Sequence, residues 1–127
     1  MDKIPTILVA EDEVVVREMV ISMLNSLGYN AISATDGDEA VQIFSAKQDS
    51  IDLLLFDVRM PNKNGIAAYK EIRAIRNNIK VIFSSGYAYN NDDVVQRAEN
   101  NSNNIMWLPK PYNLTQLQEK VQKLLSM

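Results

Sequence analysis

Apolar residues follow two rhythms along this chain, short unbroken runs and stripes at helical spacing, and the two alternate from one end to the other. The unbroken runs are Ile7–Ala10, Leu53–Phe56, Val81–Phe83 and Ile105–Leu108. Each is too short for a helix and too continuous for a strand with one wet face, so each reads as a strand buried on both faces. Asn30 to Ala34 alternates weakly and suits an edge strand. Between these runs the period changes. From Val16 the positions Met19, Val20, Met23 and Leu27 mark a first helix, with Gly28 as a left-handed residue after its end. Asp36-Gly37-Asp38-Glu39 has the form of a capping box with Asp36 as N-cap, and opens a second helix through Ala40, Val41 and Phe44. The loop from Met60 to Gly65 is rich in turn formers, and Ile66, Tyr69, Ile72 and Ile75 then share one face of a third helix. Asp92 to Ala98 supports a short helix with a thin apolar face of Val94, Val95 and Ala98, followed by the polar run 99–104. Asn113 caps a last helix that buries Leu114, Leu117, Val121, Leu124 and Leu125.

Strict alternation of strand and helix through 127 residues predicts an α/β fold. The form expected is a flavodoxin-like (βα)5 domain, a doubly wound parallel five-stranded sheet in the order 2-1-3-4-5 with right-handed crossovers. A chain of this length fills one domain, 1–127, without linker or repeat.

Charge and composition narrow the chemistry. Thirteen basic and sixteen acidic residues leave a net charge of -3, which gives nucleic acid no electrostatic footprint. The absence of cysteine and histidine removes disulfides, thiol catalysis, imidazole bases and a phosphohistidine on this chain. Carboxylates, hydroxyls and amines remain. No apolar run approaches the length of a membrane span and Met1–Pro5 lacks the features of a signal peptide, so the expected location is the cytoplasm, without membrane insertion.

In the expected strand order, four strands end in polar groups that converge: Glu11 and Asp12, then Asp57, then Ser84, then Lys110. Each alone has an ordinary structural reading. The acids can oppose the positive end of the first helix, Asp57 can bond loop amides, Ser84 can satisfy a strand end, and Lys110 can lie in solvent. Together they are harder to explain, because carboxylates crowded at one edge repel one another and call for positive charge among them. A hard divalent cation such as Mg²⁺, which keeps several waters and needs only one or two protein carboxylates, meets that need. Lys110 then serves an anion beside the metal. A phosphoryl group is the best candidate, with Asp57 as the nucleophile that forms an aspartyl phosphate.

These residues resemble a response-regulator receiver domain of two-component signalling, over essentially the whole chain from Ile7 to Leu125. The resemblance is carried by Glu11-Asp12, by Asp57 followed by Met60-Pro61 and Gly65, by Ser84 after strand four, and by Lys110-Pro111 after strand five. It implies a phosphorelay role, in which Asp57 accepts phosphoryl from a phosphohistidine on a histidine kinase or phosphotransfer protein, or from a small donor such as acetyl phosphate. It implies Mg²⁺ held by Asp12, Asp57 and the backbone carbonyl of Arg59, with Glu11 acting through water. Lys110, aimed by a cis Lys110-Pro111 bond, and Ser84 would grip the phosphoryl oxygens. Ser84 and Trp107 would act as the switch, remodelling the face made by the fourth helix, strand five and the last helix. Such a domain is no enzyme in the usual sense, since it catalyses only its own phosphorylation and dephosphorylation. Ser84 stands where the family often has Thr, and Trp107 where it usually has Tyr or Phe. Phe83-Ser84-Ser85-Gly86-Tyr87 resembles receivers fused to hybrid histidine kinases, so both an excised domain and a stand-alone regulator accommodate the sequence.

Rival readings meet specific obstacles. A flavodoxin-like electron carrier needs a hydroxyl-rich phosphate loop where this chain has Glu11-Asp12-Glu13, and a haloacid dehalogenase-type phosphatase needs an Asp where this chain has Arg59. The alternative from another class is a protein-binding module that keeps the receiver fold without phosphotransfer.

Overall fold

The unbroken apolar runs form strands because helices cover both faces of the sheet they build. The structure is a computed structural model that describes residues 3–86 and 104–126. Its elements are β1 (Thr6–Ala10), α1 (Val14–Ser26), β2 (Asn30–Ala34), α2 (Gly37–Lys47), β3 (Leu53–Asp57), α3 (Gly65–Ile75), β4 (Lys80–Ser85), β5 (Ile105–Pro109) and α4 (Leu114–Leu125). The helix expected at Asp92–Ala98 lies outside the described residues. All strands pair in parallel in the order β2-β1-β3-β4-β5, as the alternation predicted.

Alternate strand residues feed two cores. Leu54, Phe56, Val81 and Phe83 face one way and pack with Phe44 of α2 and Ile72 of α3. Ile7, Val9, Leu53, Leu55, Ile82 and Leu108 face the other way, toward Leu24 of α1 and Val121 of α4. Burial on this scale is the main favourable term for the fold, at roughly 1.5–3 kcal/mol for each large side chain removed from water.

Helix ends follow local chemistry. Asp36 caps α2 by accepting the Glu39 N–H at 2.9 Å, but the Glu39 carboxylate takes the N–H of Thr35 at 2.7 Å, one residue before the cap. The expected box is thus displaced by one position on its reciprocal arm. Asn113 and Gln116 form a full box at the start of α4, and Asn64, unforeseen as a cap, accepts the Ala67 N–H at 2.8 Å to start α3. Gly28 adopts φ +92°, the left-handed conformation expected after α1.

The helix stripes were read too wide. Met19, Ile75 and Leu114 are 51%, 40% and 41% exposed, and the buried face of α1 centres on Val20 and Leu24. Ile75 and Leu114 are the last and first residues of their helices, where the apolar stripe outruns the sheet. Leu125 is only partly buried, at the edge of its core. Met19 has a different neighbourhood, beside Pro111 and Tyr112.

Candidate functional site

Register alone assembles the site. Asp57 pairs with Ser84 across β3 and β4, and Ala10 pairs with Phe56, so Glu11 follows β1 at the level of Asp57. Parity fixes the face: Glu11 continues Ile7 and Val9, Asp57 continues Leu53 and Leu55, Ser84 follows Ile82, and Lys110 follows Leu108. All four therefore lie on the side of the sheet covered by α1 and α4. They line one small cavity with Val20 and Tyr112.

Lys110 is the hub. Its ammonium bonds the Glu11 carboxylate and lies 3.2 Å from Asp57 Oδ2, while its N–H donates to the Ser85 carbonyl at 3.0 Å. The Lys110-Pro111 bond is cis, as the resemblance implied. Burial and then the negative charge of Glu11 push the Asp57 carboxyl up to about 6, against a partly offsetting pull from Lys110. Burial disfavours the Lys110 charge, yet its bonds to Glu11 and Asp57 prevail and hold its pKa above the usual value.

Glu11, Asp12 and Asp57 each offer a carboxylate oxygen, and these oxygens lie within 4.8 Å of one another. A hard, anionic donor set of this kind fits a divalent cation such as Mg²⁺. Arg59 is held close by its N–H, which donates to Asp57 Oδ1 at 3.2 Å. The Ser84 hydroxyl is buried and has no hydrogen-bond partner among the described residues. A buried hydroxyl left in this state is costly unless another ligand uses it.

The model of the response regulator receiver domain matches residues 7–122. The chain belongs to the response regulator receiver family. It is a receiver domain of two-component signalling, a signalling module with a phosphoacceptor role. It is 36% identical over 120 residues to the sensor kinase CckA of Brucella abortus (strain 2308), covering 94% of this chain and 12% of that kinase. The chain thus spans about an eighth of the length of that relative. The crystal structure of the receiver domain from the hybrid histidine kinase CckA is 34% identical with a TM-score of 0.76, covering 94% of this chain and 98% of that one. The crystal structure of the response regulator TrrA from Thermotoga maritima, in complex with Mg²⁺ and BeF, is 31% identical with a TM-score of 0.82, covering 95% and 99%. No helix among the described residues is long and apolar enough to cross a membrane.

In this receiver the expected residues Glu11, Asp12, Asp57, Ser84 and Lys110 come together, and Arg59 adjoins them. Trp107 does not join them. It pairs in register with Phe83 and is buried in the core on the α2 and α3 side, across the sheet from the acids. Two residues of the site went unread in the sequence. Tyr112 lines the acid cavity, where burial and then the charges of Glu11 and Asp57 push its hydroxyl pKa up. Its signal was its place two residues after Lys110. Arg17, one turn into α1, donates to the Glu11 carbonyl at 2.8 Å and reaches the Asp12 carbonyl at 3.5 Å, bracing the acidic turn. Only the 3.6-residue reach of a helical arginine back to its own N-terminal turn could have announced it.

Proposed function

We propose that Asp57 is the phosphoacceptor of this receiver and that Mg²⁺ is required for the transfer. A carboxylate oxygen of Asp57 attacks the phosphorus of a phosphohistidine. The P–N bond breaks, its electron pair stays on the imidazole nitrogen, which takes up a proton, and an acyl phosphate forms on Asp57. Asp12, Asp57 and the Arg59 carbonyl would hold the cation, with Glu11 acting through water, and the cation supplies charge stabilisation for the phosphoryl oxygens. Lys110 exchanges its Asp57 contact for a phosphoryl oxygen. Ser84 donates its hydroxyl to another, which gives the buried oxygen a partner and makes it, with Trp107, the origin of the switch. Loss of the phosphoryl group to water uses the same residues. The observation that carries this reading is the Asp57 carboxylate clustered with those of Glu11 and Asp12 and paired with Lys110, with the Ser84 hydroxyl, unpartnered among the described residues, as its register neighbour.

The donor is a histidine kinase or phosphotransfer protein, and it docks over α1. Val14, Val15 and Met19 are exposed there, and a groove lined by Val16, Met19, Val20, Met23, Pro111 and Tyr112 shares Lys110 and Tyr112 with the acid cavity. A donor imidazole must come within bonding range of Asp57, so its carrier has to cover this rim. The reaction belongs in the cytoplasm.

Intact mass after incubation with Mg²⁺ and acetyl phosphate tests the chemistry. One added phosphoryl group is expected, labile to hydroxylamine and lost with a chelator or in Asp57→Asn. An unmodified chain that also ignores Mg²⁺ and beryllofluoride would instead support a protein-binding module without phosphotransfer.

A further inference from the structure

The loop between β3 and α3, residues 58–64, carries Arg59, and its two ends are held in different ways. At its near end the Val58 N–H donates to the Ser84 carbonyl of β4 at 2.9 Å, and the Val58 carbonyl accepts the N–H of Gly65, the first residue of α3, at 3.0 Å. Its far end is tied to the first turn of α2. Asn62, at φ +66°, donates its amide to Asp36 Oδ2 at 2.6 Å, and the Gly37 N–H donates to the Lys63 carbonyl at 3.0 Å. The Lys63 ammonium then pairs with Asp38 of α2 at 3.1 Å and with Glu71 of α3. A Cβ on Gly37 would overlap the Lys63 carbonyl, so only glycine lets the two backbones meet.

We propose that the first turn of α2 is a positioning element for the cation site: by holding Asn62 and Lys63 it sets where the Arg59 carbonyl stands beside Asp57. The inference rests on the reading of Arg59 as a backbone ligand given above. A purely structural role is a poor account of the side-chain ties, because Asp38, Asn62 and Glu71 are exposed, surface pairs add little to folding, and Asp36 caps α2 through its other carboxylate oxygen without needing Asn62. Their effect on a ligand's position is another matter. Outer partners that orient metal ligands commonly change affinity by about 10–100-fold when removed.

The test is the Mg²⁺ dissociation constant by isothermal titration calorimetry on the full chain, with thermal stability measured alongside. Gly37→Ala, which drives the loop off α2, is expected to weaken Mg²⁺ by roughly tenfold or more. Asn62→Gly keeps the positive φ and loses only the bond to Asp36, while Lys63→Met keeps the backbone bond and loses the ion pairs. Each of these removes one of several ties and leaves the others in place, so each is expected to weaken Mg²⁺ by about threefold, less than the loss of a whole outer partner. Gly28→Ala is the control, since it strains a φ of +92° at the distant end of α1 and should lower stability with no change in Mg²⁺ affinity. If the wild-type chain does not bind Mg²⁺, the cation reading itself fails. If it binds and the variants match it within twofold, the cation reading stands and the positioning role of α2 is wrong. Should Gly37→Ala not fold, the other two variants decide by the same criterion.

Discussion

On one flank of Asp57 the loop 58–64 is tied to α2 through Asn62 and Lys63 and to the sheet through Val58, whereas on the other flank the rim of α1 leaves Val14, Val15 and Met19 in solvent beside an apolar groove. The contrast separates two tasks. The first flank spends polar contacts on fixing the backbone next to the acids, as a site must when a ligand's geometry sets its affinity. The second leaves apolar surface next to Lys110 and Tyr112, as a site must when a macromolecular donor has to approach. Asp57 sits where the fixed flank meets the open one.

The largest expected effect removes what both flanks serve. Asp57→Asn abolishes the acyl phosphate from either acetyl phosphate or a phosphohistidine donor, read by intact mass. Next comes the charge that bridges the acids. Lys110→Gln leaves Glu11 and Asp57 without their shared partner and is expected to slow phosphorylation by about 100-fold, the scale of losing one preorganised charge stabiliser. Initial rates with acetyl phosphate measure it. A charge on the open flank should discriminate between donors. Met19→Asp is expected to slow transfer from a phosphohistidine protein by roughly tenfold and leave acetyl phosphate almost unaffected, since losing one apolar anchor typically costs about 1–2 kcal/mol of binding. Equal slowing of both donors would remove the distinction between the flanks.

Smaller effects concern the metal-free fold. Asp57 titrates near 3.8 when unfolded and is pushed up to about 6 in the folded chain, so the folded state holds its proton more tightly. That contribution to stability is full below the unfolded value and is lost as pH rises through about 4 to 6. Asp57→Asn removes this slope and should make the metal-free protein more stable at pH 7 by roughly 1–2 kcal/mol, as seen in denaturant titrations at a series of pH values. Ser84→Ala is expected to change stability least, leaving it unchanged or raising it by up to about 1 kcal/mol, because the variant removes a buried hydroxyl that has no partner among the described residues. The same variant should still slow phosphorylation.

The division between the flanks also explains what could be read from the sequence. The sheet order and the convergence of Glu11, Asp57, Ser84 and Lys110 were legible because a parallel sheet aligns its strand ends and a two-residue period assigns each side chain to a face. Caps at Asp36 and Asn113 were legible because they depend on neighbours three residues away. The straps from Asn62 to Asp36 and from Lys63 to Asp38 were not, since they join positions some 25 residues apart through surface polar groups that follow no period. Nor was the exposure of Met19, because helical spacing marks a stripe without saying how much of it the sheet will cover.

The most direct test of the central claim is borohydride trapping. Protein incubated with Mg²⁺ and acetyl phosphate is reduced with sodium borohydride, which converts an aspartyl phosphate to homoserine, and is then mapped by peptide mass spectrometry. Homoserine at position 57 alone is the expected result. Homoserine at Asp12, Glu11 reduced in its place, or no reduced acid in a chain that has gained phosphate would contradict it.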